Sequence, residues 1–238
     1  MLDKFNRKIT YLRVSVTDRC NLRCEYCMPA EGIKLIAHKD ILSFDEIVNV
    51  CRTAAYHGVN KIRITGGEPL VRKGIVDLVR SISAIEGVDD IGMTTNGILL
   101  PKFANELKNA GLMRVNISLD TLDPDEYRKI TRGGEITSVI QGIVAAQKVG
   151  LEPIKINSVV FDNHDNSMKD ALKKFAKDMN LQIRFITQMH LDTGEFSIVE
   201  GGTGGDCSIC NSIRLTANGF IKPCLFSDDQ YSVRELGA

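Results

Sequence analysis

"YLRVSVTDRCNLRCEYC", residues 11 to 27, begins as a strand and ends as a loop built around three cysteines. Its first seven residues are β-branched and apolar enough for a strand. They lead into Cys20, Cys24 and Cys27, separated by three and then two residues. Runs like the first recur at "KIRIT" (61–65), "DIGMTT" (90–95), "RVNISL" (114–119), "IKINSVVF" (154–161) and "QIRFIT" (182–187). Amphipathic stretches of helical length lie between them at 43–58, 74–87, 101–111, 138–150 and 167–180. Each closes on Gly or Asn, as helix C-termini prefer. Those from 43 and 167 open on a serine placed to cap. The strand runs read as nearly all apolar, which predicts strands covered on both faces. Six strand–helix units predict a parallel sheet, either open or curved into an incomplete barrel, since a closed one takes eight.

In such sheets chemistry gathers at the C-terminal ends of the strands. The polar and glycine-rich motifs fall there. The cysteine loop follows the first strand and "TGGEPL" the second; "TTNG" ends the third, "SLD" the fourth, and "QMH" follows the sixth. Lys155 and Asn157 share one face of the fifth strand. After residue 190 the alternation stops. "DTGEFSIVEGGTGGDC" reads as loop, and the last block carries Cys207, Cys210 and Cys224 around a hairpin whose turn is "ANG". The expected division is therefore an α/β unit over 1–190 and a loop with a small cysteine-bearing appendage over 191–238.

Thirty basic and thirty acidic residues cancel, so nothing in the charge balance favours nucleic acid. With 43% hydrophobic residues the chain can bury a full core. "MLDKFNRKIT" has no apolar core and is not expected to be a signal peptide. No run of about 18 apolar residues predicts a membrane span. A cytoplasmic location is expected, and there thiols stay reduced. The seven cysteines then need a use other than disulfides. Cys51 shares a helical face with Ile47, Val50 and Ala54 and reads as a buried structural thiol. The other six form two groups of three with no histidine beside them. Structural zinc takes four closed ligands. A 4Fe–4S cluster on three thiolates keeps one iron free for a ligand from outside the protein.

The spacing of Cys20, Cys24 and Cys27, with Tyr26 before the last, resembles that of the radical S-adenosylmethionine (SAM) enzymes. "LRVSVTDRCNLRCEYCMPAEGI", "KIRITGGEPLVR", "IGMTTNGILL", "RVNISLDTLD", "IRFI" and "CLFSD" resemble, within them, the GTP 3′,8-cyclase family of molybdenum cofactor biosynthesis. The resemblance implies a partial (β/α)6 TIM-like barrel with a C-terminal auxiliary iron–sulfur segment. It implies a 4Fe–4S cluster on Cys20, Cys24 and Cys27 whose open iron chelates SAM. Reductive cleavage of SAM then yields methionine and a 5′-deoxyadenosyl radical that abstracts a substrate hydrogen atom. Tyr26, Gly66, Gly67, Glu68, Ser118 and Met189 fall at SAM-contacting positions. The two glycines would let backbone approach the ligand, and Glu68 would accept from its ammonium. A second 4Fe–4S cluster is implied on Cys207, Cys210 and Cys224, its open iron taking the guanine of GTP.

Arg13, Arg63, Thr94, Lys155 and Arg214 match substrate-contacting positions of that family, and Arg184 is a further cation on the expected rim. Cations borne on strands and aimed into a lumen are costly without an anionic ligand. Expected partners are a purine nucleotide and an electron donor such as flavodoxin or ferredoxin; a homodimer is allowed, and neither nucleic acid nor membrane is expected. The sequence departs from the family at Ser212, where an arginine is usual, in a short segment before the second cysteine group, and in lacking the family's C-terminal tail. These departures keep two other readings open. One is a two-cluster radical SAM dehydrogenase or peptide-modifying enzyme with another substrate. The other, weaker, is a non-enzymatic iron–sulfur electron carrier, for which "GGEP" and the rim cations would have no use.

Overall fold

The computed structural model describes residues 2–3, 5–160, 166–189 and 194–237. Six parallel strands lie side by side in chain order: β1 (Tyr11–Ser15), β2 (Lys61–Thr65), β3 (Asp90–Thr95), β4 (Arg114–Ser118), β5 (Lys155–Val160) and β6 (Gln182–Thr187). The connections carry α1 (Phe44–Tyr56), α2 (Ile75–Ser83), α3 (Leu100–Asn109), α4 (Pro124–Thr131), α5 (Ile136–Lys148) and α6 (Asn166–Asp178). This is the α/β architecture of a partial (β/α)6 barrel, with a sheet that stays open.

Local chemistry accounts for most boundaries. Ser43 caps α1 in a reciprocal box with Glu46: its hydroxyl accepts from the Glu46 amide at 3.2 Å and its own amide donates to Glu46 at 2.6 Å. Gly58, Gly87, Gly111, Gly150 and Asn180 follow their helices with positive φ. Ser167 stands inside the first turn of α6, one residue past its start, and is not its cap. Helix α4 was not expected, because its eight residues hold only two large apolar side chains, Tyr127 and Ile130. Its signal is the N-terminus: Asp123 accepts from the amides of Asp125 and Glu126, and Pro124 occupies the first turn.

The expectation of nearly all-apolar strands is corrected, for only one face is apolar. Leu12, Val14, Ile62, Ile64, Ile91, Met93, Val115, Ile117 and Ile156 form one core with Ile47, Leu78, Leu107 and Ile143 of the helices. The residues between them point the other way, and they are polar: Arg13, Arg63, Thr94, Asn116, Lys155. With five or six residues per strand, each face shows only two or three side chains, too few for the period of two to stand out in the sequence.

The C-terminal block is not hung beside the sheet. β7 (Ser212–Leu215) pairs in parallel with β1, and β8 (Phe220–Lys222) and β9 (Tyr231–Ser232) continue antiparallel, giving nine strands in the order β6-β5-β4-β3-β2-β1-β7-β8-β9. The "ANG" turn joins β7 to β8 as expected. The expected boundary at 190/191 lies outside the described residues. At the far edge, Glu200 makes an antiparallel bridge with Phe185 of β6 and accepts from Lys169 and Lys173, covering part of an otherwise open edge.

Candidate active site

The loops beyond β1 and β2 are built against each other. The Gly67 amide donates to the Thr17 carbonyl at 2.7 Å and the Glu68 amide to the Arg19 carbonyl at 2.8 Å. A Cβ on Gly67 would stand 2.3 Å from the Arg19 oxygen, and one on Gly66 2.7 Å from that of Thr17. The close approach these glycines permit is therefore to the backbone of the cysteine loop. The Glu68 carboxylate is fully buried (0% exposed) and accepts from the Leu70 amide at 3.0 Å, the Thr95 hydroxyl at 2.8 Å and the Asn96 amide at 2.7 Å. The structure gives it three protein donors in place of the ligand ammonium expected for it. Burial pushes its pKa up, and these donors oppose the shift.

Three residues outside the expected set hold the first loop. Asn96 donates to Asn21 Oδ1 at 2.7 Å and approaches Cys20 Sγ at 4.0 Å. Asp120 accepts from the Tyr26 hydroxyl at 2.8 Å and from the Val159 amide at 2.7 Å, tying the cysteine loop to β4 and β5. Arg132 donates to the carbonyls of Arg23 at 3.0 Å and Met28 at 2.8 Å. "TTNG" and "SLD" flagged the first two as rim motifs; nothing in the sequence marks Arg132. Ser118 ends β4 at this same end, and Met189 stands two residues beyond β6 with its side chain exposed.

All seven cysteines are free, and Cys51 is buried in the core as expected. Burial pushes the Cys24 thiol up to about 12 and Cys27 up to about 11, with the neighbouring thiols and Asp120 adding to each shift. Such thiols become ligands when a metal replaces the proton. Among the described residues no three His, Cys, Asp or Glu side chains stand close enough to hold a single metal ion. A cubane asks for something different, because each thiolate binds its own iron. Three free thiols on one loop, with no histidine between Cys20 and Cys27, fit that group better than zinc.

Between the two ends of the sheet lies the polar face. Arg214, Arg13, Arg63 and Gly92 stand in register across β7, β1, β2 and β3, and Arg114 follows on β4. Arg13 and Arg63 are thus mid-strand and not at the rim. The Arg63 guanidinium lies over Gly92, where a Cβ would meet Cζ at 3.3 Å. Thr94, Asn116 and Lys155 make the next row, then Ser118, Asn157 and Arg184. Asp90 neutralises Arg114 and lies 3.3 Å from Lys61. Arg13, Arg63, Lys155, Arg184 and Arg214 make no salt bridge among the described residues. Burial lowers the pKa of Arg63, and burial followed by the charge of Arg13 lowers Arg214 to about 10. Lys155 is lowered by burial and then by the charges of Arg184, Arg114, Arg63 and Lys61.

Six buried polar atoms lack any hydrogen-bond partner among the described residues: Arg13 Nε, Arg63 Nε and Nη1, Asn116 Oδ1, Asn157 Oδ1 and Arg184 Nε. All six belong to this face. Orphaned buried polar groups cost free energy, and here all of them lie on one face of the sheet, among cations without salt bridges.

The second cysteine group lies at the opposite end. Cys207 and Cys210 precede β7, and Cys224 returns to that end after β8. Cys207 and Cys224 are exposed, and Cys210 Sγ is 3.6 Å from the Ser212 hydroxyl. Arg7 donates to the Cys207 carbonyl at 2.7 Å. Phe226 stacks on Phe196 at 4.5 Å. At least the length of β1, roughly 13 Å at 3.3 Å per residue, separates the two groups.

The comparisons bear on the fold and the family. Residues 14–175 match the Radical SAM superfamily, and the chain belongs to it. Solved structures agree in fold: Streptococcus suis SuiB bound to precursor peptide SuiA superposes with a TM-score of 0.73 at 15% identity, covering 94% of this chain and 62% of that one. A tagged anSMEcpe with bound AdoMet gives 0.67 at 16%, covering 92% and 72%. Within the superfamily the chain belongs to the GTP 3′,8-cyclase family. It is 43% identical to the GTP 3′,8-cyclase of Petrotoga mobilis over 282 aligned residues, covering 99% of this chain and 87% of the relative. With that of Thermodesulfovibrio yellowstonii the identity is 42%, over 99% and 88%. These alignments are longer than the 238-residue chain, so the relatives carry internal residues that it lacks. Membership implies a 4Fe–4S cluster and SAM. No helix among the described residues is long and apolar enough to cross a membrane.

Proposed function

We propose that this chain converts GTP by 3′,8-cyclisation, using SAM cleaved at the Cys20–Cys24–Cys27 end of the sheet. The observation that carries the reading is the polar face: unpaired cations and every orphaned buried polar atom among the described residues lie between the two cysteine groups. An anionic ligand with several hydrogen-bonding groups satisfies them together.

Cys20, Cys24 and Cys27 would hold a 4Fe–4S cluster, which when bound would supply the electron for reductive cleavage of SAM. The residues of the chain do the rest. Glu68, Asn96, Asp120 and Arg132 hold the cysteine loop against the ends of β3, β4 and β5. The backbone of Gly66 and Gly67, with Tyr26, Ser118 and Met189, frames the SAM site at that end. Arg13, Arg63, Arg184 and Arg214 hold phosphate oxygens through parallel N–H donors, and Lys155 adds a point charge. Thr94 lies in the row between them and Ser118. Cys207, Cys210 and Cys224 would hold a second cluster at the other end of the face, which would bind the base. Docked substrate also displaces water from the face, so a radical formed there meets substrate first. A flavodoxin or ferredoxin as electron donor, a cytoplasmic setting and a homodimer all fit this reading.

Reconstituted protein is incubated anaerobically with SAM and dithionite. 5′-Deoxyadenosine is expected, rising when GTP is added, together with a product bonded between C8 and C3′. SAM cleavage indifferent to GTP, with no cyclised product, would overturn the assignment of substrate.

A further inference from the structure

Most of the polar face offers donors. Four of its six orphaned atoms are guanidinium N–H groups, which ask for anionic oxygen. Two are of the opposite kind: Asn116 Oδ1 and Asn157 Oδ1 are acceptors enclosed without a donor. Asn116 is the more deeply placed, at 5% exposure. It stands in register between Thr94 and Lys155, and neither hydroxyl nor ammonium bonds to its oxygen. A buried amide oxygen in that state is a standing cost that a ligand O–H or N–H removes.

Its position says which part of a ligand that is. Along the strands, Asn116 lies one period of two beyond the row of Arg13, Arg63 and Arg114, and one period before Ser118, the last residue of β4. It therefore sits between the guanidinium row and the end where SAM is cleaved. In a substrate whose C3′ must meet the radical, the sugar occupies that level. We propose that Asn116 is a substrate-binding residue that reads the ribose, its Oδ1 accepting from a sugar hydroxyl. The inference rests on the nucleotide reading above and adds to it a selection for ribose over deoxygenated sugars at a residue outside the cation set.

The test is equilibrium binding of GTP and 2′,3′-dideoxy-GTP to the anaerobically reconstituted full chain, as wild type, Asn116→Ala and Asn116→Ser. Wild type should prefer GTP by about tenfold, the worth of one buried hydrogen bond. Asn116→Ala should weaken GTP by about tenfold, leave the dideoxy compound within about twofold, and so abolish the preference. Asn116→Ser, too short to reach the same hydroxyl, should behave alike, with iron content and far-UV circular dichroism as checks on folding. An equal loss for both nucleotides, or a preference unchanged in both variants, overturns the inference while leaving the nucleotide reading intact. Failure of wild type to bind either nucleotide overturns the nucleotide reading and the inference with it.

Discussion

Gly67 shows how one side chain's absence carries the first site. Its amide and that of Glu68 bond to the backbone of the cysteine loop, and a methyl group there would lie 2.3 Å from a carbonyl oxygen. Backbone cannot yield by that distance without breaking both bonds. Gly67→Ala is expected to lose about four irons per chain, one cluster, while far-UV circular dichroism stays unchanged; iron analysis with the spectrum checks it. "GGEP" singled out Glu68, but the sequence could not show which way its side chain turns. Its three donors come from Leu70, Thr95 and Asn96, and only folding brings the last two to it. Asp120 and Asn96 were visible only as parts of motifs, for the same reason.

At the level of elements, β2 carries the clearest conflict between stability and function. Arg63 is 5% exposed with two orphaned nitrogens. Removing an uncompensated buried charge stabilises a fold. Arg63→Met should raise the unfolding free energy of the ligand-free protein by about 1 kcal/mol while weakening GTP by tenfold or more. Urea unfolding and nucleotide titration on the same sample measure the two effects, and a destabilised variant would contradict the account. A second element-level case is the start of α1. The Arg234 side chain, with the Ser43 amide, holds the Glu46 carboxyl down at about 2. Its folded pKa lies below the unfolded value, so the stabilisation is complete above about pH 4.5 and is lost as pH falls toward 2. The pair is mostly exposed, so about 1 kcal/mol is expected. Glu46→Gln should cost that much at pH 7 in urea unfolding and flatten the fall in stability below pH 4.5.

For the whole molecule, the continuous sheet is what relates the two cysteine groups. β7 lies in register with β1, so Cys210 is placed at one end of the polar face by the same pairing that puts Cys20 at the other. The two sites share a face without sharing ligands. Cys210→Ala is therefore expected to halve an iron content of about eight per chain, leave 5′-deoxyadenosine formation in place and abolish the cyclised product. Loss of all iron would show instead that the C-terminal strands are needed for the first site to form.

The six parallel strands, five of the six helices and the cysteine loop were readable because short β-branched runs, the Ser43 cap and closing glycines are local signals. So was the cluster-binding character of the loop, through the likeness of its cysteine spacing to that of the radical SAM enzymes. Which side of each strand faces the helices, the turning of Glu68 inward, the joining of β7 to β1 and the gathering of orphaned donors and acceptors on one face came only with the tertiary structure. Each depends on contacts between residues far apart in the chain, and a strand of five residues carries too little pattern to announce which of its side chains will meet a ligand.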